Sequence, residues 1–151
     1  MIEGVEIRTA AAADLDDVTA LIAAQLEEHA IPIALADLRF AVEGILRVPE
    51  RGFVLLALRN GSACGAACVS YSWTVERGGM VAWLDELYVT PDLRDHGIGN
   101  EMLARVIQTA DAAGCRTVEL EVETSHCRAE HLYTRHGFHD LPRRRWTRPL
   151  P

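Results

Sequence analysis

The stretch that most constrains this chain runs from Val89 to Ala113. An apolar segment ends at Val89, turns through Thr90 and Pro91, passes Arg94-Asp95-His96-Gly97-Ile98-Gly99-Asn100, and continues as an amphipathic pattern that stops at Gly114. A strand that feeds through two glycines straight into a helix turns several backbone N–H groups toward one point. Glycine lets the backbone come close to a ligand, and the positive end of the helix favours an anion. Arg94 adds a cation to the same loop. Glycine spacing excludes two anion-binding designs: no Lys-Ser or Lys-Thr follows Gly99, as a P-loop requires, and Met102 stands where a dinucleotide fingerprint needs its third glycine.

The flanking segments supply a sheet and helices to hold that loop. Val5-Glu6-Ile7-Arg8 alternates with the period of a half-buried strand. Leu15, Val18, Leu21, Ile22 and Leu26 form a helical stripe up to about Glu28, with Asp14 able to cap it and Asp17 in its first turn; Leu38, Val42, Ile45 and Leu46 predict a second helix over 35–46. The carboxylates of Glu27 and Glu28 lie near this pair, solvated or helping to attract a cation. An apolar run over 52–59 ends in Asn60-Gly61, a strong hairpin signal, so 63–73 is predicted to return as a strand. Its small residues, Ala63 to Ala67, imply that something packs close to that backbone. After a turn over 76–79, residues 81–89 form the strand that feeds the loop. The helix over 98–113 buries Ile98, Met102, Leu103, Val106, Ile107 and Ala110, and Gly114 ends it. Residues 117–122 then return parallel to the feeding strand. A short helix over 128–136 closed by Gly137, and a last edge strand over 146–150, complete the reading.

Charge and length bound the function. With 151 residues and 49% hydrophobic content, the chain suits one domain over 1–151 that buries about two thirds of its unfolded surface. Fifteen Lys and Arg against 22 Asp and Glu leave a net charge of −7, which argues against a nucleic-acid or anionic-membrane partner and is compatible with a cationic one. Acidic residues at 14, 16 and 17 interrupt any leader-like apolar run, and the expected localisation is cytoplasmic. Cys64 and Cys68 on one strand would sit roughly 13 Å apart, too far for a disulfide, so the four cysteines read as buried free thiols. Neither they nor His126, His131 and His136, scattered about 140° apart around a helix, have metal-ligand spacing. No metal is expected.

Arg94-x-x-Gly97-x-Gly99 after a strand resembles the acyl-CoA loop of the GNAT superfamily of N-acyltransferases. Ala129-x-x-x-Tyr133-x-x-x-Gly137-Phe138 is similar to that family's last motif, and the opening strand and acidic helix stand in the family's order. At position 126 this chain has His where the family often has Asn. The resemblance implies an α/β (α+β) fold, a single GNAT-like domain with a central mixed, mostly antiparallel twisted sheet flanked by helices, and CoA in a cleft at the splayed fourth and fifth strands. It implies acetyl-CoA as co-substrate, with cofactor contacts from Leu87, Tyr88, Val89, Arg94, Asp95, His96, Gly97, Ile98, Gly99, Asn100, His126 and Ala129.

The chemistry expected of such an enzyme needs a base and an acid. An alkylamine of pKa near 10.4 is protonated at neutral pH, and exposing its lone pair costs roughly 4–5 kcal/mol. Asp85 and Glu86 stand where members resembling polyamine acetyltransferases carry a carboxylate pair. Neighbouring strand residues face opposite sides, but a bulge of the kind the family has would bring both to the cleft. Glu86 is the favoured base for its reach, with Asp85 orienting the cation. Backbone N–H groups over 87–89 would polarise the thioester carbonyl, and Tyr133 is the family's candidate to protonate the departing thiolate. Tyr71, Trp73 and Trp83 line an acceptor pocket or fill the core; Arg143, Arg144 and Arg145 form a solvated strand edge or stand beside the 3′-phosphate of CoA. The expected acceptor is a small-molecule amine, and a homodimer is compatible with the chain. The alternatives are a protein or peptide N-acetyltransferase and a non-catalytic acyl-CoA-binding regulatory module.

Overall fold

The computed structural model describes residues 2–151. Its elements follow in the order β1 (Val5–Thr9), α1 (Leu15–Glu28), α2 (Leu35–Arg47), β2 (Gly52–Arg59), β3 (Ser62–Thr74), β4 (Gly79–Val89), α3 (Ile98–Ala112), β5 (Thr117–Leu120) and α4 (Cys127–Arg135). Contacts divide the chain into two compact units, Met1–Glu121 and Val122–Pro151.

The first unit is built on one five-stranded sheet in the order β1-β2-β3-β4-β5. The first three pairings are antiparallel, and β4 pairs β5 in parallel after the α3 connection, as the helix between two apolar strands predicts. Asn60 and Gly61 both take positive φ, the backbone of a tight hairpin turn, and join β2 to β3. Apolar residues of α1 and α2 pack with Val54, Leu56, Ala66, Cys68 and Tyr88 in one buried cluster on one face. On the other face lies α3: a Cβ on Gly65 would come within 3.0 Å of Met102 Sδ and 3.4 Å of Ala57 Cβ. That approach is why β3 has glycine at 65, while Ala66 packs in the cluster on the opposite face.

Asp14 does not cap α1 with its side chain. It accepts two hydrogen bonds from the Arg8 guanidinium, at 2.8 and 2.9 Å, and one from Ala11 N–H at 2.7 Å, tying the end of β1 to the turn that begins the helix. Those contacts hold its carboxyl well below the usual range, at about 2. Pairing of β5 with β4 runs from Val81↔Thr117 to Leu84↔Leu120 and stops there, while β4 continues to Val89. The last five residues of β4 therefore have β3 on one side and no strand on the other among the described residues. This is the splay expected of the fourth and fifth strands.

In the second unit, α4 ends in a Schellman turn: Phe138 N–H donates to Tyr133 C=O at 3.1 Å, Gly137 N–H donates to Thr134 C=O at 3.0 Å, and Gly137 has φ 84°. The expected strand over 146–150 is not formed. Pro149 and Pro151 lack the N–H a ladder needs, and Trp146 is 85% exposed, so no apolar face is buried to repay pairing.

Candidate active site

Strand β4 breaks regular pairing where its two carboxylates stand. Leu84 is opposite Val69 and Glu86 is opposite Cys68, so the register slips and Asp85 is the extra residue of a bulge. Residues directly opposite one another in an antiparallel ladder point to the same face. Cys68 belongs to the α1–α2 cluster, which puts Glu86 on that face too. Ser70, two residues from Cys68, donates its hydroxyl to Asp85 Oδ2, drawing the second carboxylate to the same side. Simple alternation would have sent Asp85 and Glu86 to opposite faces; the bulge brings them together.

Their environments differ. Asp85 is exposed and Glu86 half-buried. Burial, and secondly the negative charge of Asp85, push the Glu86 carboxyl from 4.5 up to about 7. The Cys68 thiol beneath them is raised chiefly by burial, with both carboxylates adding to the effect. A carboxyl at about 7 divides its population between acid and base at neutral pH, the range in which general-base catalysis is efficient.

The loop after β4 is set by hydrogen bonds. Thr90 N–H donates to Cys64 C=O at 2.9 Å, and Leu93 N–H to Thr90 C=O at 2.9 Å through a short 3-10 turn. Asp95 takes φ 67° and Gly97 φ 86°, and His96 Nδ1 lies 2.7 Å from the Arg94 carbonyl oxygen. Gly97 is the N-cap residue of α3, so no side chain caps that helix. A Cβ on Gly97 would meet Ile2 Cδ1 at 3.6 Å, and one on Gly99 would meet Val89 Cγ2 at 3.9 Å, both ordinary contacts. Packing does not demand glycine at 99, and the space over the loop is the kind a phosphate needs to approach backbone N–H groups.

Arg94 is more constrained than a loop cation. Its Nε donates to Val89 C=O at 2.9 Å, one terminal nitrogen donates to both Glu28 oxygens at 2.8 and 3.0 Å, and its Cζ lies 5.3 Å from the Tyr88 ring centroid. It joins the C-terminal end of α1 to the end of β4. Leu87 and Val89 are half-buried and Tyr88 buried, while Ile98 is buried at the start of α3 and Asn100 exposed.

In the second unit, His126 is the N-cap residue of α4, Ala129 lies in its first turn, and the Tyr133 ring packs edge-on against Phe138 with centroids 5.8 Å apart. Of the aromatics, Trp83 is opposite Ser70 and shares the carboxylates' face, Tyr71 packs against Phe53 at 5.9 Å, and Trp73 is 81% exposed and fills no core. Cys64 and Cys68 are buried free thiols, whereas Cys127 is exposed. Sequence reasoning missed Ser70, whose role depends on register, and the partner of Glu28, for which its charge near the helix pair was the one signal. Among the described residues no cluster of His, Cys, Asp and Glu could hold a metal, and no helix is long and apolar enough to cross a membrane.

Sheet, splayed strands and glycine loop together define an acyl-CoA-dependent N-acyltransferase. The acetyltransferase (GNAT) family profile matches residues 16–138, and the chain belongs to that family, with acetyl-CoA as its acyl donor. The chain is 31% identical over 133 residues to the aminoalkylphosphonate N-acetyltransferase of Salmonella typhimurium, covering 88% of this chain and 84% of that protein. The fold is shared with a possible acetyltransferase from Clostridium difficile 630 (TM-score 0.85, 20% identity, 99% of both chains). It is also shared with an aminoglycoside N-acetyltransferase solved with CoA (TM-score 0.82, 20% identity, 96% of this chain and 94% of that one).

Proposed function

We propose that the chain, acting as one GNAT domain over 1–151, transfers the acetyl group of acetyl-CoA to the primary amine of a small molecule by direct attack on the thioester. The observation that carries this reading is the bulge, which sets Asp85 and Glu86 on one face beside the unpaired end of β4. Glu86 takes a proton from the incoming ammonium, directly or through water, and Asp85 holds the cation. The freed lone pair attacks the carbonyl carbon, and N–H groups of Leu87 to Val89 stabilise the resulting oxyanion. Collapse breaks the C–S bond and Tyr133 gives its proton to the CoA thiolate. The second proton of the attacking nitrogen leaves through water and restores the Tyr133 hydroxyl, Glu86 releases its proton to solvent, and the products are the acetamide and free CoA. The loop over 94–100 holds the nucleotide end.

Two similarities support an amine acceptor: the related proteins named for aminoalkylphosphonates and aminoglycosides both act on amino compounds. The test is thiol release from acetyl-CoA across small amines, amino acids and lysine-containing peptides. Amine-dependent release strongest with small amines is the expected result. Peptide preference would assign protein acetylation, and tight CoA binding with no release for any acceptor would assign a non-catalytic module.

A further inference from the structure

Ser70 stands on β3 directly opposite Trp83, and its hydroxyl reaches diagonally along the sheet to donate to Asp85 Oδ2. The extra residue of a bulge stands outside the cross-strand register, so pairing alone does not fix which way the Asp85 side chain points. Ser70 itself is held from its other flank by a close backbone approach. Gly52, opposite Ser70 on β2, has φ 151°, and a Cβ there would lie 1.9 Å from the Val69 carbonyl oxygen and 3.0 Å from Ser70 Cα. Glycine therefore lets β2 sit against β3 at the residue that addresses Asp85.

The kind of donor matters. A hydroxyl gives the carboxylate a hydrogen bond without cancelling its charge, whereas an Arg or Lys in its place would neutralise it. The bond is exposed, where water would solvate the carboxylate nearly as well, so it supplies direction more than stability. Around Glu86, Cys68 of β3 stands opposite, and Asp85 and Tyr88 flank it on β4. Arg94 lies over the Tyr88 ring and is paired in turn with Glu28 of α1. From β2 and α2 the same face receives the apolar Val54, Leu56, Leu38 and Val42. Of the charges in this set, it is Asp85 that adds to burial in raising the Glu86 carboxyl.

We infer that Ser70 is a positioning residue for the acetyl transfer: its hydroxyl holds Asp85 on Glu86's side of the sheet, where one negative charge both attracts the acceptor's ammonium and stands beside the base. The inference rests on the reading that Asp85 and Glu86 serve a small amine, and it names the residue on which their arrangement depends. Without the hydroxyl, Asp85 turns toward solvent from its place in the bulge and the like charge beside Glu86 recedes. The Glu86 carboxyl then falls from about 7 toward its ordinary 4.5, and the hold on the ammonium weakens with it.

The test titrates Glu86 in the full chain by NMR of its carboxyl carbon, without any ligand, in the wild type, Ser70→Ala, Ser70→Thr, Asp85→Asn and the Ser70→Ala, Asp85→Asn double variant. Ser70→Ala should fold, keep its affinity for CoA and lower the proton affinity of Glu86 at least about threefold; Ser70→Thr, which retains a hydroxyl, should restore it. In the Asp85→Asn background, Ser70→Ala should change nothing further. A Glu86 midpoint unmoved by Ser70→Ala, or moved equally with and without the Asp85 carboxylate, would overturn the inference. Steady-state kinetics with acetyl-CoA and methylamine, propylamine or phenethylamine give a second readout. Ser70→Ala should raise the amine KM about three- to tenfold at neutral pH and move the kcat/KM inflection to lower pH, with kcat at high pH near wild type. An unchanged KM and pH profile on an amine that is turned over would also overturn it. The expected titration without turnover of any amine keeps Ser70's hold on the pair and removes the catalytic reading. Turnover with a Glu86 midpoint indifferent to Ser70 does the reverse.

Discussion

At the scale of single residues, Gly99 and Tyr133 answer different questions. Gly99 sits in the first turn of a helix, where glycine has poor propensity, yet its missing Cβ would touch Val89 at only ordinary distance. The proposed function gives that glycine a duty toward CoA. Gly99→Trp should fold, since a Cβ at 99 meets only Val89 Cγ2 at ordinary distance, and should weaken CoA binding at least about tenfold in a calorimetric titration; unchanged affinity would take the pyrophosphate away from this loop. Tyr133 has a structural duty in the Schellman turn, where its carbonyl accepts from Phe138 and its ring packs on Phe138. That duty needs the ring and the backbone but not the hydroxyl. Tyr133→Phe should accordingly keep the fold and CoA affinity while lowering kcat by about 10² or more in steady-state assays. Wild-type turnover would give the thiolate's proton another source.

Elements are joined here by contacts no local pattern announces. The Arg94 fork to Glu28 spans 66 positions of sequence and pins α1 to the loop before α3. Both side chains are more than a third exposed, so solvent screens the pair and its worth is modest. A double-mutant cycle with Glu28→Gln and Arg94→Gln, read by denaturant unfolding, should give a coupling of about 0.2–1 kcal/mol. A coupling of zero would mean that Arg94 acts through Val89 and Tyr88 alone. Local chemistry did reveal the elements it controls: the Asn60-Gly61 turn, the apolar stripes of α1 to α3, and Gly114 and Gly137, whose positive φ closes α3 and α4. It misread 146–150, because Trp146 and Leu150 look like strand residues until Pro149 and the lack of a buried face are weighed.

Across the whole molecule, the candidate site positions were legible as residue types, and their arrangement only through the family resemblance, which implied a bulge at the carboxylates. The glycine loop and the carboxylate pair stand in adjacent stretches of sequence, but which face each carboxylate takes depends on a register slip between Cys68 and Val69, set by cross-strand pairing. The same slip brings Ser70 to Asp85 and leaves Glu86 half-buried beside a like charge, which together account for a carboxyl at about 7. The first unit carries that pair and the loop; the second, with Tyr133, has no buried residue and is held by its own turns. The most direct test of Glu86 as the base is the pH dependence of kcat/KM for a primary amine in the wild type, Glu86→Gln and Asp85→Asn. Ionisation of Glu86 makes the base form dominant above about pH 7, so wild-type kcat/KM should show an inflection there in addition to the rise from amine deprotonation. Asp85→Asn removes the neighbouring negative charge and should move that inflection to lower pH. Glu86→Gln should abolish the inflection and lie about 10² below wild type at neutral pH, with the gap closing as free amine becomes abundant. An equal loss at every pH in Glu86→Gln, or a pH-dependent loss confined to Asp85→Asn, would contradict the assignment.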